Sequence, residues 1–232
     1  MRQIALDTET TGLEPSLGHR VIEIAAIELV NRQLTGNRFH RYLNAERASD
    51  GGALQVHGLT EEFLSDKPKF PEIVAEFLDF ISGAELIIHN AAFDAAFLDH
   101  ELQRLDRQPL AEHCGGIVDT LRLARELHPG KKNNLDALCE RYQIDRSRRT
   151  RHSALVDTEL LAQVYLAMTR GQDSLNMTVE PVAPAAAQPG ASALLELTVI
   201  TAGPDELAEH EKQLAEIDRI SGGSLWRRLQ NA

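Results

Sequence analysis

Asp7 and Glu9 stand two residues apart at the end of the apolar run Ile4-Ala5-Leu6, in the segment Asp7-Thr8-Glu9-Thr10-Thr11-Gly12. In an extended strand, side chains at i and i+2 leave the same face about 6–7 Å apart, so the two carboxylates share one volume. A strand entering a core cannot keep two anions together unless a pKa rises, a partner neutralises them or a hard cation binds. Three further residues offer related chemistry. Asp157 lies on the apolar stripe of a predicted helix, with Leu160, Leu161, Val164 and Met168 at i+3, i+4, i+7 and i+11; an inward carboxylate there needs an ion pair or a metal. Asp94 sits in the first turn of another predicted helix, which Asn90 can cap and whose dipole already favours an acid. His152, five residues before Asp157, is either a proton acceptor near pH 7 or a surface or capping histidine. Asp7, Glu9 and Asp94 all follow the carboxyl ends of predicted strands, where ligand sites of open α/β sheets collect, and three or four such acids suit two divalent ions.

The elements that must position these residues follow from hydrophobic period. Residues 2–8, 20–30 and 36–44 read as strands punctuated by Gly12 and Gly36, which predicts an antiparallel meander. From Pro71 the period changes to 3.6 through Ile73, Val74, Phe77, Leu78 and Ile81, and Leu86-Ile87-Ile88 is a short buried strand. A helix from Ala91 to about Leu105, a short strand at 116–118 and helices over 119–127, 133–142 and 153–169 complete the pattern. Strands first, then alternating strand and helix, predict one mixed α/β domain over residues 1–171.

Composition narrows the class. The chain has 232 residues, 24 Lys and Arg against 35 Asp and Glu, and a net charge of −11, which argues against wrapping duplex DNA by bulk electrostatics. Its two cysteines, Cys114 and Cys139, form no CxxC or Cys/His cluster, so neither a disulfide framework nor a zinc site is signalled and a reducing cytoplasm is expected. The apolar stretch Val21 to Val30 is interrupted by Glu23 and Glu28, and the start carries no signal-peptide pattern, so neither membrane spanning nor secretion is expected. One basic run stands out: Arg141, Arg146, Arg148, Arg149 and Arg151, either a solvated surface run or a contact to phosphates.

After Gly171 the composition shifts. Residues 172–193 read as a linker rich in Pro and Ala, and 194–232 as a tail with a possible strand over 194–200 and an amphipathic helix over 204–220 carrying Leu207, Leu214 and Ile217. With Trp226 near its end, the tail is too small for its own core and reads as a partner-binding segment, the alternative being a frayed terminus that docks on its own domain.

Asp7-x-Glu9-Thr10-Thr11-Gly12, His89-Asn90-x-x-Phe93-Asp94 and His152-x4-Asp157 resemble the three exonuclease motifs of the DEDDh branch of the RNase H-like superfamily. The likeness extends through Val56-His57-Gly58-Leu59-Thr60, Leu135 to Cys139 and Val164 to Thr169, then to Gly222-Gly223-Ser224-Leu225-Trp226, and is similar to the proofreading subunits of bacterial replicative DNA polymerases. The resemblance implies an RNase H-like mixed sheet flanked by helices and a 3′→5′ exonuclease that trims mismatched, single-stranded 3′ ends of DNA to nucleoside 5′-monophosphates. It implies two divalent cations, Mg²⁺ or Mn²⁺, on Asp7, Glu9, Asp94 and Asp157, with His152 as general base. Thr10, Thr11 and Leu13, with His57, Asn90 and Phe93, are the implied contacts to the terminal nucleotide, although Phe93 also reads as core. The polymerase catalytic (alpha) subunit is the implied partner of the tail through Leu214 and Trp226. Gln172 and Leu175, in the peptide Gln172 to Met177, resemble a sliding-clamp motif, and a small accessory subunit is a further possible partner. An RNA-directed exonuclease and a non-catalytic adaptor are the rival readings; the tail speaks against the first and the full set of acids against the second. Asp50-Gly51-Gly52-Ala53 departs from the family pattern and leaves the loop geometry before His57 open.

Overall fold

A computed structural model describes residues 1–147, 149, 152–170 and 202–221. The chain divides into two units, Met1–Thr178 and Val179–Ala232. In the first, strands β1 (Arg2–Thr10), β2 (Val21–Val30), β3 (Gln33–Tyr42), β4 (Glu85–Ile88) and β5 (Gly116–Asp119) form one sheet of order β3-β2-β1-β4-β5. The pairs β1/β2 and β2/β3 are antiparallel, whereas β1/β4 and β4/β5 are parallel. The meander and the later alternation of strand and helix thus join into a single mixed sheet flanked by helices, as the RNase H-like expectation required.

Period-2 alternation along β1 divides the layers. Ile4 and Leu6 point into the larger core with Phe77, Ile81, Phe97 and Leu98, on the side of helices α3 (Phe70–Ile81) and α4 (Ala91–Gln103). Ala5 points the other way, into a core with Ile87, Leu161, Ala162 and Tyr165 beneath α7 (Ala154–Met168). Asp7 and Glu9 continue that second face and are aimed at the first turn of α7. Helix α3 starts one residue before the expected Pro71, and the Glu72 carboxylate accepts from the Lys69 N–H at 2.7 Å to close its first turn. Helices α5 (Thr120–Leu127) and α6 (Leu135–Arg141) complete this layer.

Two short helices were not legible in the sequence. The Gly-rich segment opens α1 (Gly51–His57), and α2 (Glu61–Leu64) follows, with the Thr60 hydroxyl accepting from the Phe63 N–H. Two glycines are poor residues with which to open a helix, because they lose the most backbone freedom on ordering. Tertiary bonds offset that cost: the Asp50 N–H donates to Thr11 O at 2.8 Å, and Asp50 Oδ2 lies 3.3 Å from His19 Nε2. The His19 ring occupies the space that a Cβ on residue 12 would need, 2.3 Å away, so Gly12 permits this packing.

The second unit contains α8 (Pro204–Ser221), on which Leu214 is buried while Leu207 and Ile217 are exposed. Gln172, Leu175, Trp226, the linker over 172–193 and the strand expected over 194–200 lie outside the described residues, as do Arg148 and Arg151. Among the described residues, no helix is long and apolar enough to cross a membrane.

Candidate active site

Four carboxylates and one imidazole converge where β1, α4 and α7 meet. Asp94 comes from the α4 layer and reaches the edge of β1, where the Thr8 N–H and hydroxyl donate to its Oδ1 at 3.0 and 2.7 Å. Asp157 comes from the opposite layer. Glu9, His152 and Asp157 each offer a ligand atom within 4.8 Å of the others, the one such set among the described residues. Asp7 and Asp94 lie outside that tight set but belong to the same electrostatic cluster.

The charge balance of the cluster is uneven. Desolvation, then the charges of Asp94, Glu9, Asp157 and Glu23, hold the Asp7 carboxyl well above its ordinary value. Glu9 is pushed up to about 8 by burial and by Glu23, Asp157 and Asp94, with Arg149 in partial opposition. Asp94 rises to about 7 because burial outweighs the two bonds from Thr8. Asp157 is the exception. Burial pushes it up too, but hydrogen bonds from His152 and Arg149, together with their charges, bring it below the usual carboxylate value. Arg149 grips Asp157 through Nε to Oδ1 and through Nη2 to Oδ2 at 2.9 Å, and its Nη1 donates to Asp136 Oδ1 at 2.8 Å. Arg149 Nη2 lies 2.9 Å from His152 Nδ1, which is itself 3.2 Å from Asp157 Oδ2. Within the basic run, read from the sequence as either a solvated surface run or a contact to phosphates, Arg149 is the cation on Asp157 and Arg146 pairs with Asp136 at 2.8 Å.

This donor set suits a hard divalent cation. It consists of carboxylate oxygens with one imidazole, several of its acids are forced towards protonation by one another, and a guanidinium stands in as positive charge on Asp157.

A cavity of about 420 Å³ opens beside Glu9, lined by Thr10, Leu13, Asp50, Ala53, Val56 and His57 among others. Leu13 is 82% exposed at its rim. His57 is buried, and its Nδ1 accepts from the Leu59 N–H at 2.9 Å. The proton of the neutral ring therefore sits on Nε2, which has no partner, and burial lowers the pKa of the imidazole. Thr10 lines this cavity, whereas Thr11, Phe93 and Asn90 are placed elsewhere. Thr11 is fully buried, bonding His19 and accepting from the Arg20 N–H, while the Thr10 hydroxyl donates to Gly12 O. Phe93 packs 5.0 Å from Phe97 against the main core. Asn90 occupies the N-cap of α4 with φ 64° and makes no side-chain cap bond; with His89, Arg125 and Lys131 it lines a separate, open cavity of about 720 Å³.

Sequence reasoning missed Glu23 as part of this site. It stands opposite Glu9 in the β1/β2 register and is 0% exposed. The available signal was that Glu23 is one of only two acids, with Glu28, in a strand otherwise apolar on both faces.

The Exonuclease family (RNase_T) matches this chain over residues 4–165. The chain is 48% identical to the DNA polymerase III subunit epsilon of Escherichia coli (strain K12) and to that of Salmonella typhimurium, over 97% of this chain and 97% of each relative. It is 46% identical to the DNA polymerase III subunit epsilon of Rickettsia felis, over 94% of this chain and 97% of that protein. Among solved structures, exonuclease X in complex with 5′ overhanging duplex DNA superposes with a TM-score of 0.58 at 23% identity, covering 74% of this chain and 93% of that one. The zinc-bound complex of E. coli exonuclease I with single-stranded DNA gives 0.65 at 20% identity, covering 75% and 41%. These two likenesses establish the fold. Taken with a family match that spans Asp7 through Asp157 and relatives nearly half identical along almost their whole length, they lead to one conclusion: the chain belongs to the DNA polymerase III epsilon subunits, 3′→5′ proofreading exonucleases.

Proposed function

We propose that Asp7, Glu9 and Asp157 hold one divalent cation and that Asp7 helps hold a second, with Asp94 acting directly or through water. The family is divalent-metal dependent; Mg²⁺ or Mn²⁺ is the expected ion, because the donors are hard oxygens with one imidazole. When bound, such ions lower the pKa of a water and neutralise charge on the leaving 3′ oxygen. The remaining work belongs to side chains of this chain. His152, 46% exposed at the mouth of the site, is the general base that takes the proton of the attacking water at a ring nitrogen. Asp157, beside Nδ1, orients that ring. Thr8 fixes the Asp94 carboxylate by two bonds to one oxygen, which leaves Oδ2 for a ligand.

The terminal nucleotide binds in the cavity beside Glu9. Leu13 and Val56 supply apolar contact, and the unpartnered His57 Nε2–H donates to a polar group of the nucleotide. The observation that carries the reading is the convergence of Asp7, Glu9, Asp94 and Asp157 with His152 at one place, where burial and mutual repulsion raise the pKa values of Asp7, Glu9 and Asp94.

The remaining assignments concern partners. The exonuclease domain over 1–171 delivers its activity in the cytoplasm to DNA held by the alpha subunit, bound through the tail over 194–232 with Leu214 and Trp226. The peptide Gln172 to Met177, in the linker over 172–193, docks on the sliding clamp through Gln172 and Leu175; a Gln172→Ala, Leu175→Ala peptide that held the clamp as well as the parent would end that assignment. The catalytic assignment is tested by release of nucleoside 5′-monophosphate from a mismatched 3′ end. Asp7→Ala should abolish that release, and retained hydrolysis in the variant would remove the metal assignment.

A further inference from the structure

We infer that Glu23 is a positioning residue for the exonuclease reaction, holding the first turn of α7 in place and with it Asp157 and His152. A carboxylate with no exposure costs several kcal/mol unless donors surround it. Glu23 has donors from two neighbouring elements. From β3, His40 Nε2 lies 2.8 Å from Oε1. From the start of α7, the Ser153 hydroxyl donates to Oε1 at 3.1 Å and the Ala154 N–H donates to Oε2 at 3.2 Å. Ser153 occupies the N-cap position yet makes no side-chain bond to its own helix. The capping anion of α7 is therefore supplied by the sheet, where it also meets the positive end of the helix dipole.

A second fastening lies one turn further on. The Thr158 hydroxyl, bonded within the helix to Ala154 O at 2.6 Å, also contacts Ala25 O at 3.3 Å, two residues beyond Glu23 on the same strand. Residues 154 and 158 are thus tied to β2 at 23 and 25, with Asp157 between them and His152 just before the cap. The register partner of Asp7 is Ala25, whose small side chain leaves room for the acid on the neighbouring strand. Sliding or rotating α7 would break both ties at once. Both Glu23 oxygens accept from donors at the start of α7, so the role assigned to it is to position that turn.

This inference rests on the exonuclease reading above, and its test separates the two. Glu23→Ala, Glu23→Gln and Ser153→Ala in the full chain are compared with the parent by melting temperature, by steady-state cleavage of a single-stranded oligodeoxynucleotide, and by ¹⁵N resonances of the Ala154 amide and the His152 ring. Glu23→Ala should lower kcat about 100-fold, the cost of a roughly 1 Å misplacement, with KM within about threefold. Glu23→Gln, which keeps one acceptor oxygen, should recover to within about tenfold of the parent, and Ser153→Ala should fall between, both shifting the Ala154 and His152 resonances. A folded Glu23→Ala with kcat within twofold of the parent would overturn the inference, as would a loss confined to KM. If Glu23→Ala fails to fold, unchanged kcat and unchanged resonances in the other two variants would overturn it equally. The resonances report the fastening with or without turnover, so an inactive parent would count against the exonuclease reading alone.

Discussion

Asp94 and Asp157 occupy equivalent places at the start of two different helices. Each is the fourth residue of its helix, each is 3% exposed, and each receives the same help from a helix N-terminus. Their chemistry diverges nonetheless. Asp94 is answered only by neutral donors on Thr8 and is pushed up to about 7, whereas Asp157 is answered by Arg149 and His152 and falls below its ordinary value. Burial and helix dipole do not set the charge of a site acid here; countercharge does. One half of the site already carries its cation as a guanidinium, and the half formed by Asp7, Glu9 and Asp94 lacks one.

The largest effect breaks both halves together. Asp7→Ala or Asp157→Ala should reduce nucleotide release by at least about 10³-fold at saturating Mg²⁺, the scale of losing preorganised stabilisation of transition-state charge. His152→Ala should cost about 10²–10⁴-fold, the range for a general base. An Asp94→Ala variant that kept full activity would confine the chemistry to the α7 half.

Stability without metal separates the halves more sharply. In chelator at pH 8, Asp157→Asn should destabilise the protein by about 2–4 kcal/mol, because it leaves the nearly buried Arg149 without its main partner. Asp94→Asn should be neutral or stabilising by about 1 kcal/mol, since it removes a desolvated anion while keeping an acceptor for Thr8. Denaturant unfolding of both variants distinguishes the outcomes, and equal losses would erase the contrast.

The same contrast fixes the pH dependence of the metal-free protein. Glu9 and Asp94 titrate at about 8 and about 7 in the fold, against ordinary values of 4.5 and 3.8. Between those limits the native state keeps protons that the unfolded chain has released, so these groups make stability fall as pH rises from about 4 to about 8. Asp157, with its pKa lowered from 3.8, works in the opposite sense: its contribution is present above about pH 4 and is lost as pH falls further. The melting temperature in chelator should therefore peak near pH 4–5 and decline towards pH 8, and saturating Mn²⁺ should flatten the upper limb. A chelated protein most stable at pH 8 would contradict the charge assignment.

The smallest expected effect concerns the stand-in cation. Arg149→Gln should tighten Mn²⁺ binding by about three- to tenfold, because a guanidinium no longer competes for Asp157. Weaker binding in that variant would mean that Arg149 supports the occupied site.

Much of this arrangement was legible in the sequence because the relevant signals are local. The i, i+2 spacing of Asp7 and Glu9 and the apolar stripe around Asp157 place three acids on inward faces, and the switch of period near Pro71 marks where the meander gives way to crossovers. What escaped was non-local. Helix α1 forms from two glycines because Thr11 and His19 hold Asp50 in place. Thr11 leaves the expected nucleotide pocket because it bonds His19 and the Arg20 amide. Glu23 reads as an interruption of an apolar strand until the start of α7 is seen resting on it.

The central claim is that the carboxylates form a divalent-cation site starved of countercharge, and calorimetric titration of Mn²⁺ into metal-free protein at pH 7, in buffers of different ionisation enthalpy, tests it most directly. With Glu9 at about 8 and Asp94 at about 7, binding of two ions should expel roughly one to two protons, and Asp7→Ala should lose most of the binding. Binding that releases no protons, or that is undiminished in Asp7→Ala, would contradict it.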